Sequence, residues 1–249
     1  MQGGYMFIKS HRSLLLFLFA FILMSWSYFS TDRRAQASTD GSYLGINAST
    51  GVTGPIFIQP RDPSGKLLLS SWLEPDGSNG DRYVWDNFTL QKTETITEIG
   101  WFGGYDPMRF GDGGPVIDFS VSIYPSIAAN TEPAVAYPPL LEYQTGGNAG
   151  ETSIGKVGGI PMYAYAFNLP VPFIASAGVK YWVQIEAYQH GSIPDWGFSV
   201  GTGGNGSHYV KESGAGGDII YRSAPYDVAF TLLGPIADTP RIYLSIILR

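Results

Sequence analysis

Polar and apolar residues alternate in the segment Tyr83-Val-Trp-Asp-Asn-Phe-Thr-Leu90, which a polar turn connects to Thr95-Ile-Thr-Glu-Ile-Gly-Trp-Phe-Gly-Gly-Tyr-Asp106. Alternation with a period of two is typical of a strand with one buried face. In the first segment Val84, Asp86, Phe88 and Leu90 share one face, and Tyr83, Trp85, Asn87 and Thr89 share the other. The pair of segments therefore predicts two consecutive β-strands.

The second segment breaks this period, because Ile96 has the opposite parity to Ile99 and Trp101. A β-bulge near Thr97-Glu98 would place the three apolar side chains on one face, so we expect a bulge there. Asp86 shares the inward face of the first strand. A buried carboxylate requires a partner, and backbone N–H groups or a bound cation could supply it.

Further segments repeat this pattern between turns rich in Gly, Pro, Asn and Asp. The predicted strands include Pro55–Pro60, Lys66–Leu73, Val116–Tyr124, Leu140–Tyr143, Met162–Leu169, Lys180–Tyr188, Asp195–Val200, Ser207–Val210, Ile219–Arg222, Tyr226–Leu233 and Ile242–Leu248. Gly146–Gly159 is expected to be loop. No helical periodicity with caps follows residue 37. The sequence thus predicts an all-β, antiparallel two-sheet β-sandwich, jelly-roll-like, as a single domain over residues 55–249 after a flexible polar lead-in at 38–54.

The first 37 residues have the pattern of a secretory signal peptide. Lys9 and Arg12 precede the apolar run Ser13–Phe29, and Ala35-Gln-Ala37 provides a small-x-small cleavage pattern. We therefore expect a secreted, extracellular or cell-surface protein. Retention of the apolar run as a membrane anchor is the alternative.

Charge and cysteine content exclude several classes of function. The formal net charge is −6, and it becomes −9 without residues 1–37. Such acidity argues against nucleic acid and, after signal cleavage, against an anionic membrane surface. The chain has no cysteine, which excludes disulfides, thiolate metal sites and a cysteine nucleophile. The composition leaves the oligomeric state open.

Catalytic and metal-binding signals are weak. His190 and His208 lie in loop-like surroundings and are expected to be exposed, and no Gly-x-Ser-x-Gly, His-Glu-x-x-His or phosphate-binding loop motif occurs. Asp118 and Glu186 would support glycoside hydrolysis if their strands were neighbours. We expect no cofactor, although the oxygen-rich loops Asp76–Asp81 and Asp106–Asp112 could hold a structural Ca²⁺. Turn residues chosen for backbone preference explain those loops equally.

One predicted strand face combines aromatic rings with hydrogen-bonding groups, as sugar-binding surfaces do. The candidate ligand-binding residues are Trp182, Gln184, Glu186 and Tyr188, beside Asp118, Ser122 and Tyr124. The alternative is that loops or the strand Ile242–Leu248 cover this face, which would make its aromatic rings part of the core.

The aromatic series also resembles β-sandwich modules of secreted or surface-associated bacterial proteins, some of which carry a PEP-CTERM-type sorting tail. The resemblance covers roughly residues 82–234. It rests on Trp85-Asp-Asn-Phe88, Ile99-Gly-Trp-Phe-Gly-Gly-Tyr105, Asp118-Phe-Ser-Val-Ser-Ile-Tyr124, Tyr181-Trp-Val-Gln-Ile185, Trp196-Gly-Phe198 and Asp227-Val-Ala-Phe-Thr-Leu232. It implies an extracytoplasmic module and brings no catalytic residues. The end of the sequence, from Pro235 to Arg249, has no Pro-Glu-Pro signal, so free secretion is expected.

These observations favour a non-catalytic module that binds glycan or extracellular matrix. A structural or adhesive surface protein without a small ligand is the first alternative, and a sandwich-fold carbohydrate-active enzyme is the second. Exposure of Trp182 and Tyr188 distinguishes these hypotheses, because a sugar can stack only on an accessible ring.

Overall fold

The computed structural model describes residues 53–72, 82–106, 108, 113–191, 195–213 and 217–236. All of them belong to one compact unit, Ser49–Arg249. Within these ranges the chain forms fourteen β-strands and no helix, so this part of the chain also contains no helix that could cross a membrane. The all-β prediction is confirmed.

The strands are joined by connections of different lengths, and the longest, between β5 and β6, comprises residues 126–140. Their bounds are β1 Thr53–Gln59, β2 Leu67–Leu69, β3 Tyr83–Thr89, β4 Glu94–Tyr105, β5 Val116–Pro125, β6 Leu141–Gln144 and β7 Thr152–Val157. The second half contains β8 Ile160–Ala175, β9 Lys180–Gln189, β10 Trp196–Gly201, β11 Ser207–Ser213, β12 Ile219–Pro225, β13 Asp227–Val228 and β14 Phe230–Pro235.

These strands form two antiparallel sheets. The eight-stranded sheet has the order β1-β14-β4-β10-β13, with β2 added on β10 and with β8 and β7 added on β4. The six-stranded sheet has the order β12-β11-β3-β9-β5-β6. Several neighbouring strands come from distant parts of the chain, such as β1 and β14 or β3 and β11, which is consistent with the two-sheet sandwich prediction. β1, which includes most of the predicted strand Pro55–Pro60, lies at the end of its sheet.

The core lies between the two sheets. Trp101 of the eight-stranded sheet and Phe119 of the six-stranded sheet are fully buried, and their ring centroids are 5.2 Å apart. Phe119, Val121 and Ile123 point into this core, as their parity predicts. The inward face of β9 contributes Tyr181, Val183, Ile185 and Ala187 to the same cluster.

The predicted bulge is present in β4. The register between β4 and β8 shifts between Ile96 and Glu98. As a result Ile96, Ile99 and Trp101 are all buried. Asp86 is 1% exposed, and its carboxylate accepts a hydrogen bond from the backbone N–H of Val228 at 2.6 Å. Both expectations for this region are confirmed.

Other expectations need correction or lie outside the described residues. Gly146–Gly159 is not entirely loop, because β7 occupies Thr152–Val157. β7 is almost wholly exposed, so its sequence lacks the apolar alternation that marks a half-buried strand. The strand predicted at Lys66–Leu73 is reduced to the three residues of β2. Residues 1–37 and Ile242–Leu248 lie outside the described ranges.

Candidate functional site

The seven predicted binding residues lie together on the six-stranded sheet, on the side facing away from the core. Register brings them side by side, since Asp118 pairs with Tyr188, Ser122 with Gln184 and Tyr124 with Trp182. We call this side the outer face. It comprises Asp118, Ser120, Ser122 and Tyr124 of β5, Trp182, Gln184, Glu186 and Tyr188 of β9, Tyr83 and Trp85 of β3, Tyr209 and Lys211 of β11, and Glu142 of β6.

Trp182 cannot serve as an exposed stacking platform, because it is only 3% exposed. Its indole N–H donates a hydrogen bond to Ser126 Oγ at 2.6 Å. The ring packs in a small second core with Trp85 and Tyr209, and Val135 packs against that core. Ser126 and Val135 belong to the connection between β5 and β6. This connection therefore covers part of the outer face, which makes Trp182 structural.

The polar centre of the outer face is recessed. Ser122, Gln184 and Glu186 are each 5% exposed or less. By contrast, Tyr124 and Tyr188 at its two ends are partly exposed. Partly accessible rings thus border a row of buried hydrogen-bonding groups.

The two tyrosine hydroxyls lie in the field of nearby carboxylates. The Tyr188 hydroxyl donates a hydrogen bond to Glu186 Oε2 at 3.2 Å. Burial, followed by the charges of Glu142 and Glu186, raises the pKa of Tyr124 to about 12. Burial and Glu186 raise the pKa of Tyr188 as well. Both tyrosines are therefore neutral hydrogen-bond donors at physiological pH.

A tryptophan that sequence analysis did not select completes this end of the face. Trp72 is partly exposed, and its ring centroid lies 5.5 Å from that of Tyr188 with a tilt of 40°. The backbone N–H of Trp72 donates a hydrogen bond to the backbone carbonyl of Ala187 on β9, which fixes the backbone of Trp72 next to the outer face. The two rings form an accessible aromatic pair beside Glu186.

Asp118 has a structural role. Its Oδ1 accepts hydrogen bonds from Thr145 Oγ1 at 2.9 Å and from the N–H groups of Phe119 and Gly146 at 2.8 and 2.9 Å. These contacts hold the turn that follows β6. Asp118 and Glu186 are diagonal neighbours on adjacent strands, a relation in which residues are typically roughly 7 to 8 Å apart, so their strands are neighbours, as a hydrolase pair would require. The carboxylate of Asp118 is, however, already engaged by the turn.

The two histidines differ from each other. His190 is exposed, as expected, but His208 is only 4% exposed and lies within β11 rather than in a loop. The expectation of an exposed His208 is therefore wrong. The register of the sheet determines what surrounds His208, and the glycine-rich flanking sequence does not indicate that register.

The described ranges hold no group of three or more His, Asp or Glu residues arranged to bind a metal ion. Most of the two loops considered for Ca²⁺, Asp76–Asp81 and Asp106–Asp112, lies outside the described residues.

Sequence reasoning missed several members of the face. Trp72 lies in the segment Lys66–Leu73, which was predicted as one strand. Its position beside Tyr188 depends on the backbone crossing from one sheet to the other. Glu142 was on a predicted strand, but the pairing of that strand with β5 was not predictable. Parity did place Trp85 opposite the core, although without its neighbours.

Fold and face together define an all-β, two-sheet sandwich that carries a recessed polar row bordered by tyrosines and a tryptophan. Residues 57–205 match a family model described as a domain of unknown function, DUF7901. The match spans more than half of the chain, so the protein belongs to the DUF7901 family. No curated protein sequence matches the chain.

Proposed function

We propose that this DUF7901 protein is a secreted, non-catalytic module that binds glycan, alone or within an extracellular matrix, through the outer face. The observation that carries the proposal is the accessible pair of Trp72 and Tyr188 rings beside the recessed Gln184 and Glu186. Aromatic rings cover the apolar C–H face of a sugar, and amide and carboxylate groups read its hydroxyls.

The charge of the face favours one class of glycan. Asp118, Glu142 and Glu186 outnumber Lys211 among the residues of the outer face, and Glu142 and Glu186 both act on Tyr124. The net negative charge of the face would repel an acidic saccharide. A neutral glycan is therefore the expected ligand.

Secretion is part of the same proposal. It is supported by the signal-like pattern of residues 1–37, the acidic composition of the remainder and the absence of cysteine. A cysteine-free sandwich of this size is stable through core burial alone, which suits an extracytoplasmic module of a bacterial surface or secreted protein.

The test is a glycan-array screen of the purified protein, followed by titration of the strongest neutral hit. Replacement Tyr188→Ala removes one ring of the accessible pair and should weaken binding at least about tenfold, the equivalent of about 1.4 kcal/mol. Tyr188→Phe retains the ring and should preserve most of the affinity.

Ile174→Ala provides the control, because Ile174 is 64% exposed and lies on β8 of the eight-stranded sheet, away from the outer face. The affinity of this variant should equal that of the unmodified protein. Absence of binding to every glycan by a folded protein, judged by circular dichroism, would favour the structural or adhesive alternative and end the proposal.

A further inference from the structure

A second candidate site lies at one end of the sandwich, between β2 of the eight-stranded sheet and β11 and β12 of the six-stranded sheet. It is a cavity of about 240 Å³. Three of its buried lining side chains are apolar, namely Leu67, Val84 and Val210. Ligand pockets for drug-sized molecules usually measure about 300 to 1,000 Å³, so this cavity suits a smaller ligand.

The polar lining of the cavity is predominantly basic. Lys66, Arg82 and Arg222 contribute three positive charges, and Glu212 is the one carboxylate among the described lining residues. Glu212 Oε1 is already paired with Arg222, at 2.6 Å from Nη2 and 2.8 Å from Nε. Lys66 and Arg82 are therefore not balanced by a lining carboxylate. This concentration of positive charge stands out in a chain with a net charge of −6.

His208 adds a titratable group to the cavity wall. Its Nδ1 lies 2.8 Å from the carbonyl oxygen of Tyr226, and because a carbonyl only accepts, Nδ1 carries the hydrogen. Burial lowers the pKa of His208, and Arg222 and Lys66 lower it further, whereas the Tyr226 carbonyl and Asp227 oppose the shift. The imidazole ring of His208 is neutral at pH 7 and can therefore gain a proton when an anion enters the cavity.

Tyr226 holds a strained conformation beside the cavity. Its φ is +84°, a region that bulky L-residues rarely adopt. Its N–H donates to the carbonyl of Gly206 at 2.9 Å, and its ring lies 3.6 Å from Lys66 Nζ. These contacts position an aromatic ring next to the unbalanced lysine. Strain of this kind persists where the surroundings fix it and is common at ligand clamps.

We propose that this cavity binds a small ligand through an oxyanion, a carboxylate or a phosphate, held by Lys66 and Arg82. Guanidinium and ammonium groups are the usual partners of both oxyanions. The apolar side chains at the bottom of the cavity and the Tyr226 ring leave space for a small organic group attached to the anion. The site is separate from the outer face, so it stands or falls independently of glycan binding there.

The test is a titration of the full chain with sodium glucuronate, inorganic phosphate and, as a neutral comparison, glucose. Calorimetry gives the affinity, and NMR of the histidine ring protons gives the pKa of each histidine. A response of the His208 ring to glucuronate or phosphate, but not to glucose, is expected, because glucose bound at the outer face would not reach His208. The bound anion should raise the pKa of His208 and leave that of His190 unchanged, because the anion stabilises only the nearby imidazolium.

Two cavity variants and one surface variant make the test specific. Arg82→Gln and Lys66→Gln should each weaken anion binding about tenfold, since each removes a charge-assisted contact. Lys92→Gln is the control, because Lys92 is 83% exposed and pairs with Glu94 outside the cavity. Binding by glucuronate alone identifies an organic carboxylate as the ligand, and binding by phosphate alone identifies a phosphate. Equal affinity in all three variants, or no response of His208 to either anion, overturns the proposal.

Discussion

Asp86 is a buried carboxylate that connects the two sheets. It lies on β3 of the six-stranded sheet, while its Oδ2 accepts hydrogen bonds from Gln59 Nε2 of β1 at 2.5 Å and from the N–H of Val228 in β13 at 2.6 Å. Its Oδ1 accepts the N–H of Asn87 at 2.7 Å. Both β1 and β13 belong to the eight-stranded sheet. A single side chain thus fixes the distance between the layers at this point.

The protonation of Asp86 should make stability depend on pH. Burial raises the pKa of Asp86 from 3.8 to about 8, and Asp227 adds to the rise, although the three hydrogen bonds oppose it. The folded state therefore binds this proton more tightly than the unfolded state between about pH 4 and pH 8. The free energy of unfolding should fall as pH rises through that window. Urea unfolding at several pH values measures the trend.

The replacement Asp86→Asn isolates this effect from other titrating groups, such as His208. Asparagine cannot ionise, so the stability difference between the original protein and the variant should shrink or reverse from pH 5 to pH 9. Asp86→Ala leaves buried donors of Gln59 and Val228 unsatisfied, each at a cost of about 1–3 kcal/mol, and should destabilise at every pH. A pH-independent difference for Asp86→Asn would show that Asp86 is ionised throughout.

At the scale of the element, β4 determines how the aromatic core fits together. The bulge between Ile96 and Glu98 brings Ile99 and Trp101 onto the buried face. Further along the strand, Gly103 leaves the space that the buried Trp196 indole occupies. Trp196 donates its indole N–H to the Tyr165 hydroxyl at 3.0 Å. The glycine is therefore part of the packing.

Two glycines of β4 provide a matched pair of replacements. A Cβ at Gly103 would overlap the Trp196 ring and lie 2.8 Å from the carbonyl oxygen of Gly197. Gly103→Ala should consequently cost about 1–3 kcal/mol of unfolding free energy through overpacking. At Gly100 the nearest atom to the new Cβ is the Tyr165 carbonyl oxygen, at an ordinary 3.5 Å.

Gly100→Ala should change stability little, because it adds only a van der Waals contact and restricts the unfolded chain. Chemical unfolding of both variants gives the comparison. Equal destabilisation by the two replacements would mean that loss of glycine, and not the Trp196 contact, causes the effect.

At the scale of the whole molecule, the sheets share one core and should unfold together. β1 and β14 pair across nearly the full length of the described chain, and Trp101 contacts Phe119 across the two layers. Neither sheet can lose its inner face without exposing that of the other. Far-UV circular dichroism and tryptophan fluorescence should therefore report a single urea transition with one midpoint. Two separated midpoints would show that the layers are independent.

The local sequence pattern was sufficient to predict which side chains of several strands point into the core. The period of two in β3, β5 and β9 identified the core side chains, and the break in parity located the bulge in β4, because both depend only on residues a few positions apart. It also marked Asp86 as a buried carboxylate. The absence of cysteine removed whole classes of chemistry before any fold was known.

The outer face and the basic cavity depend on strand order, register and connections. Trp182 has the parity of an exposed residue, yet the β5–β6 connection covers it. Lys66, Arg82, His208 and Arg222 lie on four separate segments and meet only because β2 faces β11 and β12. Such contacts join residues distant in sequence, and no local periodicity encodes which strands become neighbours. The chain therefore specifies its core through pattern, while its two candidate binding sites arise from tertiary packing.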